Sequence, residues 1–415
     1  MAASQVATKG QPAHGGKSWP SQVFAFNPAE LNWPRGVMIL DLMLVPLMVF
    51  WAIGHEEYLL SALFGMLFTV LADPGGSYGQ RVSRIAIFAL IGAGLTALGF
   101  GIGGDAWGWL VLAASAVTLV ASLAIMFGVH RFVTALLLNI WFIITLGVAA
   151  SIHQFNLTHH HAQITGYTWA QVLAWAGGAA LWIAVTFIWW LIRGRQDEPV
   201  PVAEIPGDTS RHPLTGPAIV YAVLRAVVIG GTFALAFGLN LSHGLWLPIA
   251  AIIAMKPSLE QSTLVAVQRL AGAVIGAAAA VLLLLIPASE HGLKLLAVTI
   301  GLYFVGLVFF MHAVAIRFWN YALYCGAIAA GVLLLIDLPR QSNYGAEGYR
   351  VLWTLCGVGI AVVVMLLAGR SPSAPPKRRH NQPDSQPERV PLASSPVRSE
   401  HQRGLAVTLP VSLGR

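Results

Sequence analysis

Charge is what this sequence has least of. Only 10% of its 415 residues are Asp, Glu, Lys or Arg, while 57% are hydrophobic. Soluble domains carry about 25% charged residues, and a chain this poor in charge cannot cover a globular surface with polar groups. Lipid must therefore be the solvent for much of it, in keeping with a mean hydropathy of +0.71. Cysteine is almost missing: Cys325 and Cys356 both fall inside apolar runs, which argues against a disulfide framework and against a cysteine-built zinc site. No complete GxxxxGKS or GxxxxGKT loop occurs, so a nucleotide-driven motor within the chain is not expected. Neither a Ser-His-Asp arrangement nor an HExxH helix occurs, so the chain is not read as an enzyme, and no cofactor is expected. The net charge of +7 would suggest nucleic acid in a soluble protein. Here it reads as the Lys and Arg bias of cytoplasmic loops.

What the sequence does have is long apolar runs. Crossing the hydrocarbon core takes about 20 residues of helix. Runs of that kind cover 36–53, 58–72, 85–103, 108–127, 132–151, 168–192, 217–239, 244–255, 268–286, 293–312, 318–336 and 350–368. The shortest, 244–255, spans only if it continues through Lys256-Pro257 or lies tilted. The expected fold is an all-α membrane protein of about twelve transmembrane helices in two six-helix parallel repeats. Residues 1–33 are polar, lack a signal-peptide core, and read as a disordered cytoplasmic arm. A first six-helix block takes 34–193, a linker rich in Pro, Gly and charge takes 194–216, and a second block takes 217–370. Residues 371–415 read as a disordered tail. Its Lys377-Arg378-Arg379 cluster could touch anionic headgroups, with a plain solvated tail favoured. With the N-terminus inside, Arg81, Arg84, Arg131, Arg193, Arg195, Arg211, Lys256 and Arg269 fall on the cytoplasmic side. Only Lys294, Arg340 and Arg350 fall outside. That bias puts both termini in the cytoplasm.

The two blocks share landmarks. Asp73-Pro74 ends the second run and Lys256-Pro257 the eighth. Arg84 opens the third and Arg269 the ninth; Arg131-Phe132 opens the fifth and Arg317-Phe318 the eleventh; Asp41 lies in the first and Arg225 in the seventh. The offsets are nearly constant, about 183 to 186 residues, as a tandem duplication requires. Six helices per block is an even number, so both insert the same way. A pseudo-two-fold along the membrane normal is expected.

The stretch WLPIAAIIAMKPSLEQSTLVAVQRLAGAVIGAAAA at 246–280, with its Pro and its Arg-x-x-Gly-x-x-x-Gly pattern, resembles the fusaric-acid-resistance-like family. So do Arg225 in VLRAVV, Arg317 with Asn320-Tyr321 in RFWNYAL, and Arg350 in YRVLWTLCG. The resemblance covers most of 217–368 and, more weakly, 36–190. That family includes aromatic acid exporters and is similar to the aluminium-activated malate channels of plants. The resemblance implies a secondary transporter in a bacterial cytoplasmic (inner) membrane, exporting small aromatic or amphipathic carboxylates, driven by protons. A passive organic-anion channel and a non-transporting membrane scaffold are the alternatives. The chain departs from the larger exporters in lacking a sizeable soluble domain after each block. Its first half also lacks the clean Arg-x-x-Gly spacing, having Arg84 and then Gly92. The expected partners are small organic anions and the bilayer, not nucleic acid. A homo-oligomer or an accessory membrane-fusion subunit is left open.

Charges within membrane helices are functional candidates, because each is costly to insert. Asp41 is expected to be a protonatable coupling carboxylate and Arg225 an anion contact, the two meeting across the interface between the halves; a static ion pair or snorkelling is the plainer alternative. Arg84, Arg131, Arg269 and Arg317 stand at helix feet and would together form an anion-attracting vestibule, although the positive-inside bias alone places arginines there. Small residues crowd the third and ninth helices (Gly92, Gly94, Gly99 and Gly101; Gly272, Gly276 and Ala277 to Ala280) and suit close helix packing. A histidine group in an outer loop, His153 with His159, His160 and His161, is read as solvated rather than as a metal site. Trp169, Trp175, Trp182, Trp189 and Trp190 along the sixth helix are read mainly as lipid-facing.

Overall fold

The computed structural model describes residues 31, 33–74, 77–159, 164–192, 194–195, 213–255, 259–284, 292–317, 319–337 and 345–369. Among them every regular element is a helix and no strand occurs. Most of the expected arm at 1–33 (1–30 and 32), most of the linker (196–212) and the whole expected tail at 371–415 lie outside the described residues. In chain order the helices are α1 (Trp33–Ile53), α2 (Leu59–Ala72), α3 (Tyr78–Ile102), α4 (Trp107–Leu123), α5 (Val129–His159) and α6 (Ile164–Ile192). After the linker come α7 (Gly216–Gly238), α8 (Trp246–Ala254), α9 (Leu259–Leu284), α10 (Gly292–Ile316), α11 (Tyr321–Asp337) and α12 (Gly345–Gly369). Each apolar run corresponds to one helix. The ends differ where the first or last turn is polar and hydropathy is blind to it: α3 starts at Tyr78, ahead of Arg81 and Arg84, and α5 runs on to His159.

Seven helical stretches among the described residues are long and apolar enough to cross a membrane. The protein is a multi-pass membrane protein. Two helices are too short to cross. At about 1.5 Å of rise per residue, the 14 residues of α2 and the 9 of α8 span about 21 and 14 Å, against a hydrocarbon core of about 30 Å. These two are also the most enclosed. Every residue of α2 except Leu60 is buried, as is nearly all of α8. Apolar on all sides, they are the centre of the bundle rather than its surface.

The other helices pack around them. In the first block α2 packs on α6, α3 on α5 and α6, and α4 on α5; in the second, α8 packs on α12, α9 on α11 and α12, and α10 on α11. Three pairs join the blocks: α1 lies on α10, α7 on α4, and α5 touches α8. One apolar cluster forms around α2 with Trp141, Trp175 and Phe310, and another around α8 with Phe142, Phe233 and Met365.

Without a hydrophobic force between helices in lipid, close backbone approach supplies much of the cohesion. The glycines of α3 and α9 serve it unevenly. A side chain at Gly92 would run into the Trp175 ring, and one at Gly99 into Thr145, while Gly94 and Gly101 face open space. Gly272 and Gly276 sit against Ala322, Cys325, Gly326 and Ala329 of α11. The tightest approach joins α2 and α6, where Gly65 faces the Trp175 carbonyl and Gly178 the Ala62 carbonyl. Side-chain hydrogen bonds reinforce the bundle, with Trp141 Nε1 donating to Thr96 Oγ1 at 2.8 Å and Asn139 Nδ2 to Thr118 Oγ1 at 3.1 Å.

Gly178→Ala should destabilise the detergent-solubilised protein by about 1–3 kcal/mol, the usual cost of forcing atoms into a packed interface. Gly177→Ala, one residue away with nothing within 4 Å, should leave the melting temperature unchanged. Equal melting temperatures for the two variants would contradict the α2–α6 packing.

Candidate functional site

A cavity of about 290 Å³ lies between the two blocks, walled by α2, α5, α8, α9, α11 and α12. Most of the wall is apolar. Phe64, Leu67, Phe68 and Leu71 come from α2, Leu136 and Ile140 from α5, and Trp246 and Ile249 from α8. The polar lining is concentrated in four side chains: Arg269, Arg317, Tyr321 and Tyr324. No Asp or Glu is among the described residues that line it.

The sequence RFWNYALY explains how three of these four converge. Helix α10 ends at Ile316, and the amides of Trp319 and Asn320 both donate back to the Ile316 carbonyl, at 3.0 and 3.1 Å. Asn320 is buried and its Oδ1 accepts from the Leu323 amide at 2.9 Å, the N-cap interaction that starts a helix. That fixes the phase of α11. Tyr321, Tyr324, Cys325, Ile328, Ala329 and Val332 then fall at helical spacing along the stripe that faces the cavity. The two tyrosine rings lie 5.6 Å apart. Arg317 occupies the turn just before the cap. Arg269 reaches the same end from α9, which Gly272 and Gly276 bring against α11. Arg269 interacts electrostatically with both tyrosines, and Arg317 with Tyr324. Arg269 Nε is buried and has no hydrogen-bond partner among the described residues.

The five arginines singled out by sequence divide into three groups. Arg269 and Arg317 line the cavity. Arg84 and Arg131 do not; both are exposed, with Arg131 stacked 5.5 Å from the Phe127 ring and both acting electrostatically on His130. The expected ring of four arginines is therefore two and two. Arg225 forms a group of its own. It is fully buried, donates from Nη2 to the Ile252 carbonyl at 2.9 Å and from Nη1 to Ser122 Oγ at 3.4 Å, and lies 5.2 Å over the Phe132 ring. Tyr221 adds a hydrogen bond from its hydroxyl to the Met255 carbonyl at 3.0 Å. Together they satisfy the carbonyl end of the short helix α8. At the equivalent end of α2, Arg35 Nη2 donates to the Val70 carbonyl at 3.4 Å, a role the sequence reading missed.

Asp41 does not meet Arg225. Helix α1 buries Gly36, Ile39, Met43 and Pro46, a stripe of helical period, and Asp41 points away from it and is exposed. Arg225 lies on the buried stripe of α7 with Ala222, Ala226 and Ile229. The two helices also have different neighbours: α1 packs on α10 and α2, and α7 on α4, α8 and α12.

Two further expectations are corrected or left aside. Trp175 and Trp182 are core residues, not lipid-facing: Trp175 stacks on Trp141 at 4.7 Å and donates to the Ala89 carbonyl at 3.1 Å. Trp169 and Trp189 are exposed, as expected. His160 and His161 lie outside the described residues, and among those that are described no group of three His, Cys, Asp or Glu is placed to hold a metal.

Residues 228–364, from the middle of α7 into the last third of α12, match the family described as fusaric acid resistance protein-like. The matched segment is about a third of the chain and contains Arg269, Arg317, Tyr321 and Tyr324. No curated protein and no solved structure matches the chain.

Arg225 spends Nη1 and Nη2 on protein acceptors, its Nε has none among the described residues, and it does not line the cavity, so Arg225 is structural. Arg225→Met should strip the Ile252 carbonyl of its partner and lower stability by about 1–3 kcal/mol, seen as a lower melting temperature and lower yield in detergent. Arg84→Ala and Arg131→Ala should stay within about 0.5 kcal/mol of the wild type, as surface changes do. A stable Arg225→Met protein would contradict this assignment.

Proposed function

We propose that this chain, a multi-pass membrane protein with a fusaric-acid-resistance-like domain, is a secondary transporter. In this reading it exports small aromatic or amphipathic carboxylates, driven by the proton gradient. The observation that carries the reading is the chemistry of the cavity: two guanidinium groups and two phenols at one end of an aromatic and aliphatic wall, with a buried donor of Arg269 unmet among the described residues. An unmet buried N–H costs about 1–3 kcal/mol, and a carboxylate oxygen placed there would satisfy it. Guanidinium pairs with carboxylate through two parallel bonds, and the low dielectric of the surroundings strengthens them. An aromatic or aliphatic body would pack against Phe64, Phe68 and Trp246. Ligand sites usually enclose about 300–1,000 Å³. A cavity of about 290 Å³ therefore suits a single-ring acid and is small for a multi-ring drug.

The same reading takes the bundle as two six-helix repeats of like orientation, with both termini in the cytoplasm of a bacterial inner membrane. It is supported by the recurrence of the packing pairs six helices on: α2 with α6 and α8 with α12, α3 with α5 and α9 with α11, α1 with α10 and α7 with α4. A cavity walled by helices of both repeats is where rocking of one half against the other would expose it alternately to each side.

The test is flux of radiolabelled benzoate in proteoliposomes with an imposed pH gradient. The wild type should accumulate benzoate against its gradient, and dissipating the pH gradient should stop it. Arg269→Ala and Arg317→Ala should each raise the KM about tenfold or more, since a charge-assisted bond contributes about 1.5–3 kcal/mol. Arg269→Lys should lose less. Normal flux through the Arg269→Ala, Arg317→Ala double variant would remove the site. Benzoate current that follows voltage alone would identify a channel instead.

A further inference from the structure

We propose that this chain binds a second copy of itself in the membrane, α1 of one copy lying along α3 of the other, with Asp41 and Arg84 forming an ion pair across that contact. Four residues that stand out in the sequence do no packing or pairing within a single copy: Asp41 on α1, and Arg84, Gly94 and Gly101 on α3. Both helices are long and apolar enough to span. Asp41 and Arg84 are exposed, so each projects from the outer surface of a membrane helix. Neither makes a hydrogen bond or an ion pair with a described residue. A side chain added at Gly94 or Gly101 would have no neighbour within 4 Å among the described residues.

The two charges stand at matching levels. Arg35, near the start of α1, donates to the Val70 carbonyl, and Arg81, near the start of α3, donates from Nε to Asp73 Oδ1 at 2.8 Å. Both helices therefore begin beside the C-terminal end of α2 and run away from it in the same direction. At about 1.5 Å of rise per residue, Asp41 lies about 12 Å into α1 and Arg84 about 9 Å into α3. An extended arginine side chain covers that difference. Arg84 has a stem long enough to carry its charge back toward the headgroups. Asp41 has none, and a carboxylate held among lipid tails is costly.

Within one copy the pair does not form, because α1 packs on α10 and α2, and α3 on α2, α5 and α6. Charge complementarity selects a second copy as the partner. The chain carries the cation that its own carboxylate lacks, at the same level and on a helix of like direction. Copies inserted the same way are related by rotation about the membrane normal, so α1 of one and α3 of the other run parallel. Exposed residues recur along α1 at Met38, Asp41, Val45, Met48 and Ala52, and along α3 at Arg84, Ile87, Ile91, Gly94, Leu98 and Gly101. Each run alternates three- and four-residue steps, the seam of two parallel helices wound left-handedly. The register that sets Asp41 beside Arg84 brings Met48 level with Ile91, one turn before Gly94, where the missing side chain lets the backbones approach. Each copy offers one α1 and one α3. A closed ring, of which the two-fold pair is the smallest, therefore leaves no Asp41 unmet.

The test reads the contact in native membranes. Two differently tagged chains, one Val45→Cys and the other Ile87→Cys, are coexpressed in a Cys325→Ser, Cys356→Ser background and oxidised with copper phenanthroline. A disulfide joining the two tags is expected. Val120→Cys, at an exposed position of α4, should give none with Val45→Cys. Asp41→Ala or Arg84→Ala, carried in both chains at equal expression, should lower the cross-linked fraction at least fivefold. The exchange Asp41→Arg with Arg84→Asp should restore it, since it rebuilds the pair with its signs reversed. No disulfide between 45 and 87, one formed equally well from 120, or one indifferent to both charges would overturn the proposal. A photoreactive benzoylphenylalanine in place of Val45 distinguishes the other partners that Asp41 could have. Adducts with a second copy support the proposal. Adducts confined to residues 1–30 of the same chain, or to a different membrane protein, would overturn it.

Discussion

Two helices too short to cross a bilayer lie at the centre of the bundle, so their carbonyl ends must find hydrogen bonds inside the protein. In hydrocarbon an unsatisfied backbone group costs several kcal/mol, and water is not there to help. Arg35 meets this demand at the end of α2, and Arg225 with Tyr221 meets it at the end of α8. Much follows from that constraint. It accounts for a fully buried arginine in the middle of an apolar helix. It allows α2 and α8 to stop short, and both helices contribute to the wall of the cavity. It also separates two kinds of arginine that look alike in sequence: those committed to backbone carbonyls and those that face a cavity.

The cavity arginines depend on a second layer of packing. Arg269 reaches Tyr321 and Tyr324 because Gly272 and Gly276 let α9 press against α11. Arg317 is presented by a turn that Asn320 closes. Neither is at the free surface, and Arg269 Nε has no acceptor among the described residues. An apolar wall with polarity gathered at one end is the complement of an amphipathic acid, and this links the physics of the bundle to a carboxylate cargo.

The helices were legible because hydropathy marks them strongly; their polar first and last turns, as at Tyr78 and His159, were not, and of the twelve expected spans seven stretches are long and apolar enough to cross, while α2 and α8 stop short. The residue types of the site were legible as well. Their membership was not, because it depends on which helix faces lie together. Pairing Asp41 with Arg225 relied on equal offset between blocks. The 3–4 spacing of Ile39, Met43 and Pro46 already places Asp41 off the buried stripe of α1, whereas Arg225 falls on the stripe of α7. The pair Asp73–Arg81 was hidden for a different reason. Its partners are eight residues apart across a helix break, a separation with no regular geometry to read. Trp175 and Trp182, seven residues apart, share one face of α6, but periodicity alone cannot say whether that face meets lipid or protein.

The most direct measurement on the central claim is a structure of the protein crystallised with 4-iodobenzoate, in which the anomalous signal of iodine locates the ring. The iodine should lie in the cavity beside Phe64 and Phe68, with the carboxylate toward Arg269 and Arg317, and the peak should vanish in the Arg269→Ala, Arg317→Ala double variant. Iodine found only on lipid-facing surfaces, with the peak unchanged in the double variant, would contradict the assignment of this cavity as the carboxylate site.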